Sequence, residues 1–161
     1  MSAHELWKTA HVLSGAVIFG TGLGIVFFCW FGYRGAMRSG DIGALRSVLR
    51  LTVLADAWFT AVAVAFQAAS GVRLMAGLGW SFTSAWSIAV WQLFAIAGVF
   101  WVPVVFIQMH LARTAQRVPS TEWLPRSFHL WFRAWFALGV PTFLAVIVIY
   151  WLMVAKPLAV T

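Results

Sequence analysis

Few side chains in this sequence can bind an ion, hold a metal or carry a proton, and most of them lie inside long apolar stretches. His11, Asp56, Gln67, Gln92, Gln108, His110, His129, Arg133 and Tyr150 are the polar groups, with Cys29 and Met153 as soft ones. Polar groups in hydrocarbon are costly and usually face the interior of a helix bundle. Placed by the helical rise of about 1.5 Å per residue, they fall into two layers.

His11, Gln67, Gln92 and Tyr150 form one layer, with Met153 at a similar height. A neutral imidazole coordinates iron readily, so His11 can serve as a haem or other metal ligand with Gln92 or Met153 nearby. The alternative is a histidine that donates to a carbonyl or to a glutamine across a helix interface. Asp56, Gln108, His110, His129 and Arg133 form the other layer. Asp56 is the only carboxylate within a span, and a buried charge needs a partner, so an Asp56–Arg133 ion pair is expected. Arg133, with His129 or Arg126, also suits an anionic ligand such as a carboxylate. His110 and His129 flank one connection and can form a metal pair, although two ligands alone are a weak signal. Cys29, alone in the chain, cannot form an internal disulfide and reads as a small buried hydrophobe.

These residues need elements that hold them in a bilayer. Hydrophobic residues make up 63% of the 161, charged ones 9%, and mean hydropathy is +0.90. A soluble domain carries about 25% charged residues, so this chain cannot cover a water-facing surface. Four stretches have the roughly 20 apolar residues that a crossing requires. They cover about 6–33, 51–76, 85–111 and 128–154. The expected fold is all-α: a single domain, an antiparallel bundle of four transmembrane helices. Gly20 and Gly24, four apart, permit a close helix approach. Pro103 and Pro141 should kink their helices.

Arg34, Arg38, Arg46 and Arg50 populate the first connection, and Arg113, Arg117 and Arg126 the third, while 77–84 carries no charge. The positive-inside rule makes the first and third connections cytoplasmic and both termini periplasmic, in a bacterial inner membrane. The net charge of +7 lies in these connections and forms no continuous basic face, so nucleic acid is not the expected partner. Trp7, Trp80, Trp86, Trp123 and Trp151 fall near the interfaces as belt anchors, and Trp58, Trp91, Trp101, Trp131 and Trp135 lie deeper. Hydrolase, zinc-protease, phosphate-loop and Cys-x-x-Cys motifs are absent from the sequence.

Several motifs carry a resemblance. Lys8-Thr9-Ala10-His11, Leu54-Ala55-Asp56-Ala57-Trp58-Phe59-Thr60, Ser70-Gly71, Trp101-Val102-Pro103, the run from Trp135 to Pro141 and the run from Met153 to Pro157 match a family of predicted bacterial integral membrane proteins of unknown function. More distantly, the chain resembles the haem-dependent membrane protoporphyrinogen IX oxidase and copper-resistance membrane domains. The positions shared with the oxidase are His11, His110, Val140-Pro141-Thr142 and Lys156-Pro157. This resemblance implies that His11 is an axial ligand of haem b. Where the oxidase has a lysine in its third helix, the nearest polar residue here is Gln92. The leading expectation is a haem b-binding membrane protein with a redox or electron-transfer role. A non-catalytic subunit anchoring a larger membrane complex, or a small-solute or metal transporter working with other subunits or as a homo-oligomer, are the alternatives.

Overall fold

The computed structural model describes residues 2–156, so Pro157, the last residue of the motif above, lies outside the described part. Helix α1 spans Ala3–Ser39 and α2 spans Ile42–Gly77, interrupted by a π-helical turn at Asp56–Ala61. Helix α3 spans Ala85–Arg117 and α4 spans Arg126–Ala155. All four are long and apolar enough to cross a membrane, and the described residues contain no strand.

The helices outrun the apolar stretches because their ends obey capping rather than hydropathy. Ser2 accepts from the Glu5 N–H while Glu5 returns a bond to the Ser2 N–H, closing a capping box. Arg34 and Arg38, expected in a loop, are helical. Helix α1 stops only at Gly40, whose φ of 70° ends it in the left-handed region. Asp41 then caps α2 through the Ala44 N–H at 2.9 Å. The first connection therefore shrinks to a tight turn, and the third becomes 118–125 with a short 3₁₀ turn at Thr121–Trp123. Arg46, in the second turn of α2, fastens that helix to the end of α3, donating to the carbonyls of Ala115 and Val118 at 3.1 and 2.7 Å.

The chain runs up and down, so one half of the bundle carries these two connections (the loop half) and the other carries both chain ends (the terminal half). The buried apolar core lies in the loop half. It comprises Cys29, Ala36, Leu45, Leu49, Val104, Ile107, Leu111, Ala115, Leu124, Phe128, Phe132 and Trp135. Gly32 sets the closest approach of α1 to α2, since a Cβ there would stand 2.6 Å from a Val48 methyl. The expected approach at Gly20 and Gly24 is not made within the chain, because a Cβ at either would meet nothing within 4 Å. Helices α1 and α4 meet through rings instead. Tyr33 stacks on Phe132 at 4.0 Å, Trp30 lies 4.9 Å from Phe136, and Phe19 lies 4.9 Å from Phe143.

Candidate functional site

The π-turn of α2 begins at Asp56. A π-turn inserts one residue into an α-helix and is frequent at functional sites. Here it buries Asp56 and Thr60 on the inner face while Trp58 and Phe59 point outward, 71% and 58% exposed. Asp56 is 6% exposed, and both of its carboxylate oxygens are bonded. Gln108 Nε2 donates to one at 2.8 Å and Trp101 Nε1 to the other at 3.3 Å, both from α3.

Both donors are neutral. The expected Asp56–Arg133 ion pair is not formed, because depth along a helix does not fix which face a residue occupies. Phe132 and Trp135 take the inward face of α4, and Arg133 is exposed beside Tyr33 at the loop-half rim. A carboxylate in a low-dielectric interior is costly, and neutral donors offset only part of that cost.

Three further polar atoms near Asp56 are buried without any partner: Thr60 Oγ1, Gln108 Oε1 and Trp135 Nε1. Asp56, Thr60, Gln108 and Trp135 line one cavity of about 90 Å³, together with apolar side chains such as Val26, Val104 and Phe136. A second cavity of about 100 Å³ shares Ile18, Thr60, Trp101, Thr142 and Val146 with the first and reaches Gly15, Gln67 and Tyr150 in the terminal half. Gly15 is needed there, since a Cβ on it would come 2.9 Å from Tyr150 Oη.

A separate polar cluster closes α1 against α2 in the terminal half. Ser70 Oγ donates to the Phe66 carbonyl at 2.6 Å, so it accepts from His11 Nδ1 at 2.7 Å. Gln67 Nε2 donates to His11 Nε2 at 3.0 Å, and Gln67 Oε1 accepts from Ser14. This assigns a neutral imidazole with the proton on Nδ1. Gln67 and Tyr150 join His11 in this region as their depths suggest. Gln92 does not, because its side chain is exposed on α3, and Met153 is half-buried near the end of α4 outside the bonded cluster.

The two ring nitrogens of His11 thus face Ser70 and Gln67, and Gln92, exposed on α3, does not approach it. No group of three or more His, Cys, Asp or Glu that could hold a metal ion occurs among the described residues. His129 Nδ1 bonds Tyr33 Oη at 2.6 Å, whereas His110 is exposed and packs edge-on against Trp131. The two histidines thus have separate partners, and Arg133 lies near Tyr33.

Reasoning from sequence passed over Thr60, Ser70, Ser14 and Tyr33 as site residues. Thr60 lies four residues after Asp56 and Ser70 three after Gln67, the spacings that share a helix face, so a search for small hydroxyls beside each polar span residue finds both.

A family model described as "Predicted integral membrane protein (DUF2269)" matches residues 5–157. No curated protein and no solved structure matches the chain.

Proposed function

The chain belongs to this family of predicted integral membrane proteins, and we propose that it is a transport-type member whose solute-binding centre is the Asp56 cavity. The observation that carries this reading is a buried carboxylate held only by neutral donors, beside three buried polar atoms that have no partner. Ionisable groups inside a membrane span are costly, face the bundle interior and mark substrate and ion pathways. A small solute that brings hydrogen-bond donors or positive charge would compensate Asp56 and engage Thr60, Gln108 and Trp135 together.

The charge pattern supports a bilayer orientation with the loop half cytoplasmic and the terminal half periplasmic in a bacterial inner membrane. The long cavity wall toward Gln67 and Tyr150 then faces the periplasmic side. Transport pathways on other folds are built from repeats and more helices. A pathway on four helices therefore calls for a second copy of the chain or another membrane subunit around each centre.

The test is thermal unfolding of the purified chain in detergent with sodium, ammonium and methylammonium salts, matched for ionic strength, across a range of pH. A shift in midpoint with one cation or with pH that is absent in Asp56→Asn is the expected result. Equal shifts in wild type and Asp56→Asn under every condition would overturn the reading.

A further inference from the structure

We infer that the species Asp56 carries is the proton, delivered by water held in the two neighbouring cavities. This rests on Asp56 being the binding centre, and it narrows what that centre takes. A metal cation ligated by Asp56 would need carboxylate lone pairs facing it and several more oxygens around it. Here N–H groups of Gln108 and Trp101 point at both carboxylate oxygens and oppose a cation at short range. A proton needs neither room nor extra ligands, since each carboxylate oxygen has a second lone pair beside the one that accepts from Gln108 or Trp101.

The surroundings suit water. A buried water forms about three hydrogen bonds to otherwise unpaired polar groups. Thr60 Oγ1, Gln108 Oε1 and Trp135 Nε1 are such groups, two able to accept and two able to donate, and all three residues line the cavity that holds Asp56. Thr60 lines both cavities, and its hydroxyl can accept a proton on one side while donating on the other. Thr142 also lines both, and its hydroxyl donates to the Leu138 carbonyl at 3.1 Å, leaving its lone pairs for water.

No second charge interferes. Asp56 is the only titratable residue lining the first cavity, across the faces offered by α1, α3 and α4, and Tyr150 is the only one lining the second. Cys29 of α1 is the nearest thiol, and it faces the Thr52 hydroxyl one turn before Asp56 on α2.

The step balances simply. A hydronium ion in the cavity gives its proton to an Asp56 oxygen, an O–H bond forms, the carboxylate becomes a neutral acid and water remains. Return of the proton to water reverses it. Toward the loop half the cavity ends at Gln108 and Trp135, beyond which Leu111, Phe128 and Phe132 are packed. The structure is thus the state that exchanges protons with the terminal half, and passage across the membrane requires that packing to part.

The experiment is proton flux into vesicles of the full-length protein, read by trapped pyranine under a potassium diffusion potential set with valinomycin. Wild type and Asp56→Glu are expected to acidify the lumen. Asp56→Asn is expected to fall to the rate of protein-free vesicles, and Thr60→Val to an intermediate rate. Labelled sodium or methylammonium uptake that is lost in Asp56→Asn, with no proton flux, would overturn the proton and leave the binding centre standing. Folded wild type and Asp56→Asn that match protein-free vesicles in all three assays, with no Asp56-dependent unfolding shift, would overturn both.

Discussion

The two halves of the bundle are built on opposite plans. The loop half is filled: Leu45, Leu49, Leu111, Phe128 and Phe132 are almost inaccessible, Gly32 lets α1 touch Val48, and Arg46 ties α2 to the end of α3. The terminal half is joined by polar bonds around His11 and by single crossings such as Trp86 Nε1 to the Leu152 carbonyl at 2.9 Å, with cavities between. In a bilayer apolar burial drives little helix association, because lipid tails are as apolar as leucine. Close packing and hydrogen bonds must hold helices together instead. The loop half uses the first and the terminal half the second, which leaves the terminal half with space that a solute or water can use.

The widest separation between the halves is expected on truncating side chains. Phe132→Ala should destabilise by about 3–5 kcal/mol, the usual cost of emptying a packed aromatic site. Val146→Ala, beside space that already exists, should cost clearly less. Unfolding in mixed micelles measures both, and equal losses would break the contrast. The next effect separates two glycines of the same helix. Gly32→Ala drives a Cβ into Val48 and should cost about 1–3 kcal/mol as overpacking. Gly20→Ala meets open space, and an equal cost there would mean that α1 has a packing partner along its other face. The smallest effect sharpens the account of the terminal half. A double-mutant cycle of His11→Leu and Ser70→Ala should return a coupling of about 0.6 kcal/mol, typical of hydrogen bonds between membrane helices. A coupling of zero would mean that the cluster is not what closes α1 on α2.

The four crossings were legible in the sequence because hydropathy over some twenty residues is a long, additive signal. Their ends were less so. Arg34 and Arg38 interrupt hydropathy but favour helix, and only the cap at Gly40 and Asp41 ends it. The site was legible in depth and not in rotation. Asp56 and Gln108 share a layer and do meet, as do His11 and Gln67. Arg133 and Gln92 have suitable depth and face elsewhere. A polar residue in an apolar helix carries no periodic pattern to say which way it points. The π-turn was invisible for a related reason. Asp56-Ala57-Trp58-Phe59-Thr60-Ala61 has no glycine or proline to announce a break, and the distortion is set by what the neighbouring helices pack against.

That turn also fixes angular phase. An ordinary helix advances roughly 100° per residue, so one surplus residue would swing everything after it by that angle. The wide turn at Asp56–Ala61 absorbs the surplus, and Leu45 and Leu49 before it and Gln67 and Ser70 after it all face the bundle. Were the turn to tighten into regular α-helix, Val62–Gly77 would rotate and draw Gln67 and Ser70 off His11. The bonds at His11 therefore act as a torsional lock on Asp56 from the far end of the same helix, tying the shape of the buried acid's turn to a contact three helical turns away.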